Sequence, residues 1–421
     1  YHDRLTGLRN FNGFIQGLRQ LMGAHCPLAV ISLDLDNFRQ INSQAGTEAA
    51  DRFLCMLAQR WQSVLGHWGV ISRTSGDEFL VLLNQPENLN ATLSALRQTA
   101  EQGNAESGVH LTTSFCAGIS RFPQDTPIDP DRLVQQANHA LYQAKQSGRQ
   151  QTRFFDERED RSQRDLNERR SRLQQALKQD ELVLHYQPKV HLSAGQVLGY
   201  EALIRWQHPE RGLLAPAHFL PLVEDHPLGI ELGLWVMHTA LAQMARWHHA
   251  GKIASVSINI APNHLLSDDF PKQLADGLAR HPGLPPALLD LEILETLALN
   301  RPDEAISNIK ACQALGVSFS LDDFGTGYSS LSYLKQLPIQ TLKIDQSFVR
   351  DIGSPDEALP MLEAILGMAR AFGMQVVAEG IETELHGSRL LDLGCQIGQG
   401  YAIARPMPAE AIEAWETTWQ L

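Results

Sequence analysis

The sequence predicts an α/β protein in two parts: a palm-like α/β domain over residues 1–153, a charged connecting helix over 154–178, and a (β/α)8 barrel over 179–421. Three observations carry that expectation. Apolar, β-branched runs recur through the second half, each ending in an acid, an amide or a lysine. In the first half, two strand-like runs flank a short glycine-containing turn that carries two acids. Between the halves lies a stretch dense in charge and free of glycine and proline.

From the N-terminus, Asp3 to Asn10 leads into Phe14 to Met22, whose apolar residues fall at helical spacing. Leu28 to Leu33 is a continuous apolar strand running into Asp34-Leu35-Asp36, and a helix is expected around Ala49 to Leu65. Val70 to Thr74 and Phe79 to Leu83 then flank Ser75-Gly76-Asp77-Glu78, which reads as a β-hairpin. A hairpin turn that sets two acids beside a strand-end aspartate is how nucleotide cyclases and polymerases hold two metals on a palm-like sheet. The segment Asp156 to Arg170 alternates in sign and becomes amphipathic only at Leu166, Leu173 and Leu177. Such a pattern is a solvated helix that docks at its C-terminal end, rather than a nucleic-acid patch.

In the second half, Val197 to Tyr200 runs into Glu201, Val256 to Ile258 into Asn259, and Leu288 to Leu291 into Glu292. Phe319 to Leu321 precedes Asp322 and Asp323, Thr341-Leu342 precedes Lys343 and Asp345, Val376 to Ala378 precedes Glu379, and Gln399 closes the series. The intervals from Glu201 through Asn259, Glu292, Asp322, Lys343 and Glu379 to Gln399 are 58, 33, 30, 21, 36 and 20 residues. About thirty residues make one strand-plus-helix unit. In a (β/α)8 barrel the strand ends converge on the mouth where such barrels do their chemistry. Acids gathered there raise one another's pKa unless cations join them, and hard oxygen ligands suit Mg²⁺ or Mn²⁺. Taken singly, Asp322-Asp323 reads as a turn or cap, Lys343 as a surface lysine and Gln399 as a capping amide. As an ordered set they read as one site.

These motifs, Glu201-Ala202-Leu203 with Ile204-Arg205-Trp206, Ser257-Ile258-Asn259, Glu292 to Glu295, Asp322 to Gly327, Lys343-Ile344-Asp345 and Ala378 to Thr383, resemble the EAL-domain cyclic di-GMP phosphodiesterases over roughly residues 170–421. The resemblance implies two ions, Mg²⁺ or Mn²⁺, held by Glu201, Asn259, Glu292 and Asp322, with Asp322 bridging and Asp323 on the second ion. It implies Glu379, Lys343 and Glu201 as catalytic, and Gln187, Arg205, Asp345 and Gln399 as substrate contacts. Gln187-Pro188 after Tyr186 resembles the family's guanine contact, and Arg205 is suited to a phosphate. Leu294 departs from the family's usual Thr, beside a ligand rather than in place of one.

In the first half, Arg73 to Phe79, Asp34 to Asn42 and Lys145 to Arg149 resemble a GGDEF diguanylate cyclase domain. By position, Asp34 and Asp77 would ligate metal, with Glu78 at the reacting centre. Asn42 and Asp51 would read guanine, and Lys145 and Arg149 would meet the triphosphate. Ser75 replaces the first glycine of the signature, while Ser43, Thr47 and Ala50 replace the usual Asp, His and Gly. Gly66 to Gly69 reads Gly-His-Trp-Gly where an inhibitory RxxD motif would lie.

Composition bounds the rest. A net charge of −13, from 35 basic and 48 acidic residues, argues against a broad nucleic-acid surface. Five scattered cysteines without a CxxC pair fit a reducing compartment, hence the cytoplasm. No apolar run approaches the ~18 residues of a membrane span, and the chain opens inside a motif, so it reads as a fragment of something longer, with room for an upstream sensor or membrane domain. The expected activity is metal-dependent hydrolysis of cyclic di-GMP to pGpG, with GTP and Mg²⁺ in the first domain as a regulatory input. The family's loop after Asp323 implies a homodimer. A bifunctional enzyme that also makes cyclic di-GMP, and a catalytically silent receptor, are the alternatives.

Overall fold

The first half folds around a strand buried on both faces. In the computed structural model, which describes residues 1–103, 111–124, 127–295, 301–325, 334–353 and 359–419, this is β1 (Leu28–Leu35). Four more strands, β2 (Gly69–Ser75), β3 (Glu78–Leu83), β4 (Phe115–Phe122) and β5 (Thr152–Phe154), give the order β2-β3-β1-β4-β5. β1 lies antiparallel to both β3 and β4. Alternation along β1 sends Ala29, Ile31, Leu33 and Leu35 into one cluster and Leu28 and Val30 into another. The first cluster takes helices α3 (Thr47–Leu65) and α4 (Leu89–Glu101) around Trp61, and the second takes α1 (Phe11–Gly23) and α5 (Pro130–Gln146). A short α2 (Phe38–Ala45), which hydrophobic periodicity did not announce, precedes α3. Gly118 on β4 admits α5 closely, since a Cβ there would sit 2.0 Å from Leu141 N. The expected hairpin is present, with β2 and β3 antiparallel around Gly76 and Asp77.

Helix α6 (Glu157–Lys178) follows, and the chain divides into two compact units within it, at Arg164 and Asp165. Its later residues belong to the second unit, where Leu173 is buried and Leu166 and Leu177 pack beside it. Arg172 there pairs with Glu181 at 2.7 Å.

The second unit is a closed ring of eight strands: β6 (Leu182–His191), β7 (Val197–His208), β9 (Ser255–Asn259), β10 (Leu289–Leu294), β11 (Ser318–Phe324), β12 (Thr341–Ile344), β13 (Gln375–Ala378) and β14 (Ile397–Gly398). Strands β8 (Gly212–Leu214) and β15 (Met407–Pro408) add to β7 and β6 outside the ring. Seven ring strands run parallel, while β6 is antiparallel to both β7 and β14. The reversal follows from the five residues that join β6 to β7, because a parallel pair needs a crossover of a dozen or more. Helices α7 (Pro227–His249), α8 (Pro262–Leu265), α9 (Phe270–Ala279), α10 (Pro302–Gln313), α11 (Gln346–Arg350), α12 (Leu359–Ala371), α13 (Glu384–Asp392) and α14 (Ile412–Thr418) complete the unit.

Strand alternation sorts the barrel. Val256, Ile258, Leu289, Leu291, Ile293, Phe319, Leu321, Leu342 and Ile344 join one hydrophobic cluster with the helices. The alternate positions, Ser257, Asn259, Asp290, Glu292, Ser318, Ser320, Asp322 and Lys343, form a polar face. The branched aliphatic residues that usually fill such barrels are therefore replaced by polar ones on these strands. Among the described residues no helix is long and apolar enough to cross a membrane.

Candidate active site

Register brings the acids together. Glu201 on β7 faces Ser257, Asn259 faces Glu292, and Asp322 faces Leu294 on adjoining parallel strands. Glu201 and Glu292 thus lie within their strands rather than at the ends that the sequence pattern suggested, a difference set by the length of β7 and β10. Two adjacent aspartates on one strand would ordinarily face opposite ways. Here the register slips between Leu321 and Phe324, and Asp323 takes a left-handed φ of 53°. The extra residue of this bulge brings Asp323 to the same mouth as Asp322, and aspartate is among the few side chains that accept that backbone.

Carboxylate oxygens of Glu201, Glu292 and Asp322 lie within 4.8 Å of one another, as do those of Asp322, Asp323 and Glu379. Asp322 is common to both groups. Lys343, 1% exposed, sits among them: its Nζ is 2.7 Å from Glu379 Oε1, 2.7 Å from Glu292 Oε2, 3.0 Å from Asp322 Oδ1 and 3.6 Å from Glu201 Oε2. Asn259 Nδ2 donates to Glu201 Oε1 at 2.8 Å, and Gln399 Nε2 donates to Glu201 Oε2 at 2.6 Å and to Gln187 Oε1 at 2.9 Å. The surface and capping readings of Lys343 and Gln399 are excluded, since both are buried.

Burial and charge crowding set the protonation. Burial pushes the Glu201 and Asp322 carboxyls upward, neighbouring carboxylates add to the effect, and Lys343 opposes it. Burial would raise Glu292 too, but Lys343 and Lys189 together bring it down to about 2. Glu379 is raised to about 8 by burial despite its contact with Lys343, whose single charge is shared among four acids. Burial disfavours the Lys343 ammonium, yet the surrounding carboxylates hold it charged. Two ammoniums, Lys343 and Lys189, among five acids leave excess negative charge, and an all-oxygen donor set of this kind fits hard divalent cations.

The Glu379 value carries a testable sign. Its native pKa lies above the ordinary 4.5, so the stability it contributes is full below about 4.5 and is lost as pH rises through about 8. Without metal, the protein is expected to lose thermal stability between about pH 4.5 and 8, and Glu379→Gln should flatten that slope. A melting temperature in EDTA that falls equally in both proteins would contradict the assignment.

A cavity of about 240 Å³ opens beside the acids, lined by Gln187, Glu201, Asp322, Glu379 and Gln399 together with Leu203, Gln346 and Tyr401. Tyr401 carries Arg405 over its ring at 4.3 Å. Arg205 is not among the lining residues: its guanidinium donates to Ile204 O at 2.8 Å and, among the described residues, makes no ion pair. Asp345, expected as a substrate contact, is also outside that lining and is the N-cap of α11, accepting from Ser347 N at 3.0 Å. Glu295, 3% exposed, accepts from Gly325 N at 3.0 Å and so anchors the start of the segment after the paired aspartates. That segment, residues 326–333, on which the expectation of a homodimer rested, lies outside the described residues. Sequence reasoning missed Lys189 and Tyr401. Each lies two residues from a predicted site residue, Gln187 or Gln399, and on β6 strict alternation would have pointed to Lys189.

In the first unit, Asp34 is in register with Glu78, and Lys145 Nζ is 2.6 Å from Asp34 Oδ2. Burial raises the Asp34 carboxyl, Lys145 opposes this, and Asp77 and Glu78 reinforce it. Asn42 on α2 and Asp51 on α3 flank Gly46, whose φ of 83° turns one helix into the next. Arg149 lines a separate cavity of about 420 Å³ with Asp36 and Asn37. Asp36, which sequence reasoning left without a role, accepts from Ser114 Oγ and from Gln150 N at 3.1 Å, bracing the Arg149 loop. Among the described residues, the two groups of converging carboxylates are both in the barrel.

Comparison with known proteins agrees with this division. Residues 170–406 match the EAL domain model, and residues 1–151 match the model described as diguanylate cyclase, GGDEF domain. The chain is 36% identical over 420 residues to the cyclic di-GMP phosphodiesterase NbdA of Pseudomonas aeruginosa, covering 98% of this chain and 53% of that protein. It is 34% identical to the bifunctional diguanylate cyclase/cyclic di-GMP phosphodiesterase MucR of the same organism, covering 98% of this chain and 61% of that protein. Among solved structures it resembles the PaMucR phosphodiesterase in complex with c-di-GMP, at 39% identity and a TM-score of 0.56, over 58% of this chain and 99% of that one. The chain spans only about half to two-thirds of the length of these curated relatives. It belongs to the family of proteins that join a GGDEF domain to an EAL domain.

Proposed function

We propose that the barrel hydrolyses cyclic di-GMP to pGpG with Mg²⁺ or Mn²⁺, and that the GGDEF domain binds GTP as a regulatory input. The observation that carries the reading is the pair of carboxylate groups sharing Asp322 beside a cavity at the strand ends. Glu201, Asn259, Glu292 and Asp322 would hold one cation, and Asp322 with Asp323 a second. Bound cations would polarise the scissile phosphate, lower the pKa of the attacking water and offset the burial and neighbouring charge that keep Glu379 protonated.

Glu379 then takes the proton of that water as general base. Lys343 keeps the ligand carboxylates apart and adds positive charge beneath the phosphate. Arg205, which makes no ion pair among the described residues, would pair with a phosphate oxygen. The amides of Gln187 and Gln399, already linked to each other and to Glu201, present a polar wall suited to a guanine edge, and Asp345 holds the turn after Lys343. Water attacks phosphorus, the bond to a ribose 3′-oxygen breaks, that oxygen leaves as an alkoxide and takes a proton from solvent, and the ring opens to a 5′-phosphorylated dinucleotide.

In the first domain, Asp34, Asp77 and Glu78 would take Mg²⁺, Lys145 and Arg149 the triphosphate, and Asn42 and Asp51 the base. Cyclisation needs two GTP molecules held face to face, and displacements of ~1 Å can cost a hundredfold in rate while affecting binding much less. The drift at Ser43, Thr47, Ala50 and Ser75 therefore favours binding over synthesis. Homodimerisation, a cytoplasmic setting and sensory input from outside this chain complete the reading.

The test supplies purified protein and Mn²⁺ with cyclic di-GMP and with GTP separately, and resolves products by chromatography. pGpG formation abolished by EDTA, at a rate that changes with added GTP, is expected. Binding without turnover would make the barrel a receptor, and dinucleotide synthesis from GTP would make the protein bifunctional.

A further inference from the structure

Below the acids, the polar face of the barrel is wired rather than merely filled. Asp290 accepts hydrogen bonds from Ser257 at 2.8 Å, Ser318 at 2.8 Å and Ser320 at 2.6 Å. Ser257 has one proton and gives it to Asp290, so its oxygen is free to accept, and Lys189 Nζ donates to it. The same ammonium lies 3.5 Å from Glu292 Oε1. Lys189 stands on the reversed strand β6, opposite Gly199 and two pairs further from the mouth than Gln187 and Glu201. It therefore reaches Glu292 from below, while Lys343 holds the other oxygen, Oε2, at 2.7 Å. Each oxygen of this buried carboxylate has its own lysine, which fixes both the position and the plane of the group.

We propose that Lys189 is a positioning residue for the cation site: tied to Asp290 through Ser257, it holds Glu292 in the orientation that a divalent ion requires. The proposal rests on the reading of Glu201, Glu292 and Asp322 as cation ligands. A lysine that acted by charge alone would repel the ion, so its removal would tighten binding. A lysine that acts by orienting a ligand gives the opposite sign, because partners that orient metal ligands typically contribute about 10–100-fold to metal affinity.

The experiment titrates Mn²⁺ into the purified chain and reads free Mn²⁺ by electron paramagnetic resonance, with melting temperatures taken in EDTA. Lys189→Met is expected to weaken Mn²⁺ binding about 10–100-fold. Ser257→Ala, which removes the tether but keeps the charge, should weaken it less. In turnover assays the Mn²⁺ concentration for half-activation should rise by a similar factor, with kcat largely recovered at saturation. Unchanged or tighter Mn²⁺ binding in Lys189→Met overturns the proposal, even if its melting temperature falls. Should that variant not fold, unchanged binding in Ser257→Ala overturns it. Glu292→Gln separates the two readings: if it leaves Mn²⁺ affinity intact, the ligand assignment fails as well, whereas a loss in Glu292→Gln without one in Lys189→Met sinks only the role of Lys189.

Discussion

Glu201→Ala is expected to abolish hydrolysis of cyclic di-GMP while leaving the barrel folded. Glu201 is the acid that ties the two sides of the site together, taking Asn259 Nδ2 on one oxygen and Gln399 Nε2 on the other. Alanine removes a cation ligand and releases both amides at once. Losing a residue that merely orients a ligand costs about 10–100-fold, and losing the ligand should cost more than that. Fold is a separate matter, because strand β7 keeps its ladder to β6 and β9 whatever the side chain. Chromatographic measurement of pGpG at saturating Mn²⁺, with circular dichroism as the fold control, checks the claim. Near-normal turnover would remove Glu201 from the site.

Lys343→Met should show its largest effect on stability without metal. A lysine that acted only on the reacting phosphate would leave folding untouched, which is what its position in the motif suggests. The structure gives it a further task, for its ammonium is buried and contacts Glu201, Glu292, Asp322 and Glu379. Breaking a buried ion pair by removing one partner costs about 3–5 kcal/mol, here as an upper bound, because stranded carboxylates can take up protons. Bound Mn²⁺ would supply the missing positive charge, so the variant should gain more thermal stability from the ion than the wild type does. Calorimetry in EDTA and in Mn²⁺ reads this directly, and equal gains in both proteins would contradict it. Turnover should fall as well.

The barrel was legible because its site residues recur at the spacing of a strand and a helix, and that spacing is a property of the chain. Asp322 and Asp323 could be named as a pair, but not why both face the mouth, since the bulge at Phe324 depends on pairing with β12. The reversed strand β6 was hidden because Leu182 to His191 reads as an ordinary strand, and only the short link to β7 decides its direction. Lys189 lay within reach of the alternation rule but belonged to no recognised motif. In the first half, Asp34, Asp77 and Glu78 were legible from the hairpin, whereas α2 was not, because its eight residues bury no side chain. Arg205 was assigned to a phosphate by motif alone, and in the structure it stands outside the cavity lining while feeling the charge of Glu201 and Tyr401, which belong to it.

A ring of strands has to be shut somewhere, and this one shuts between β14 and β6. Only Ile397 with His191 and Gly398 with Val190 make that ladder, although the partners stand some two hundred residues apart in the chain. The long hairpin of β6 and β7 can form locally, while the closing pair carries the greatest loop-closure entropy and has a ladder of only two pairs to repay it. Gln187 and Gln399 lie on the two sides of this seam and meet across it. A chain folded as far as β13 would hold every acid from Glu201 to Asp323, yet lack the amide bridge over Glu201, so the site is finished by the same event that completes the barrel.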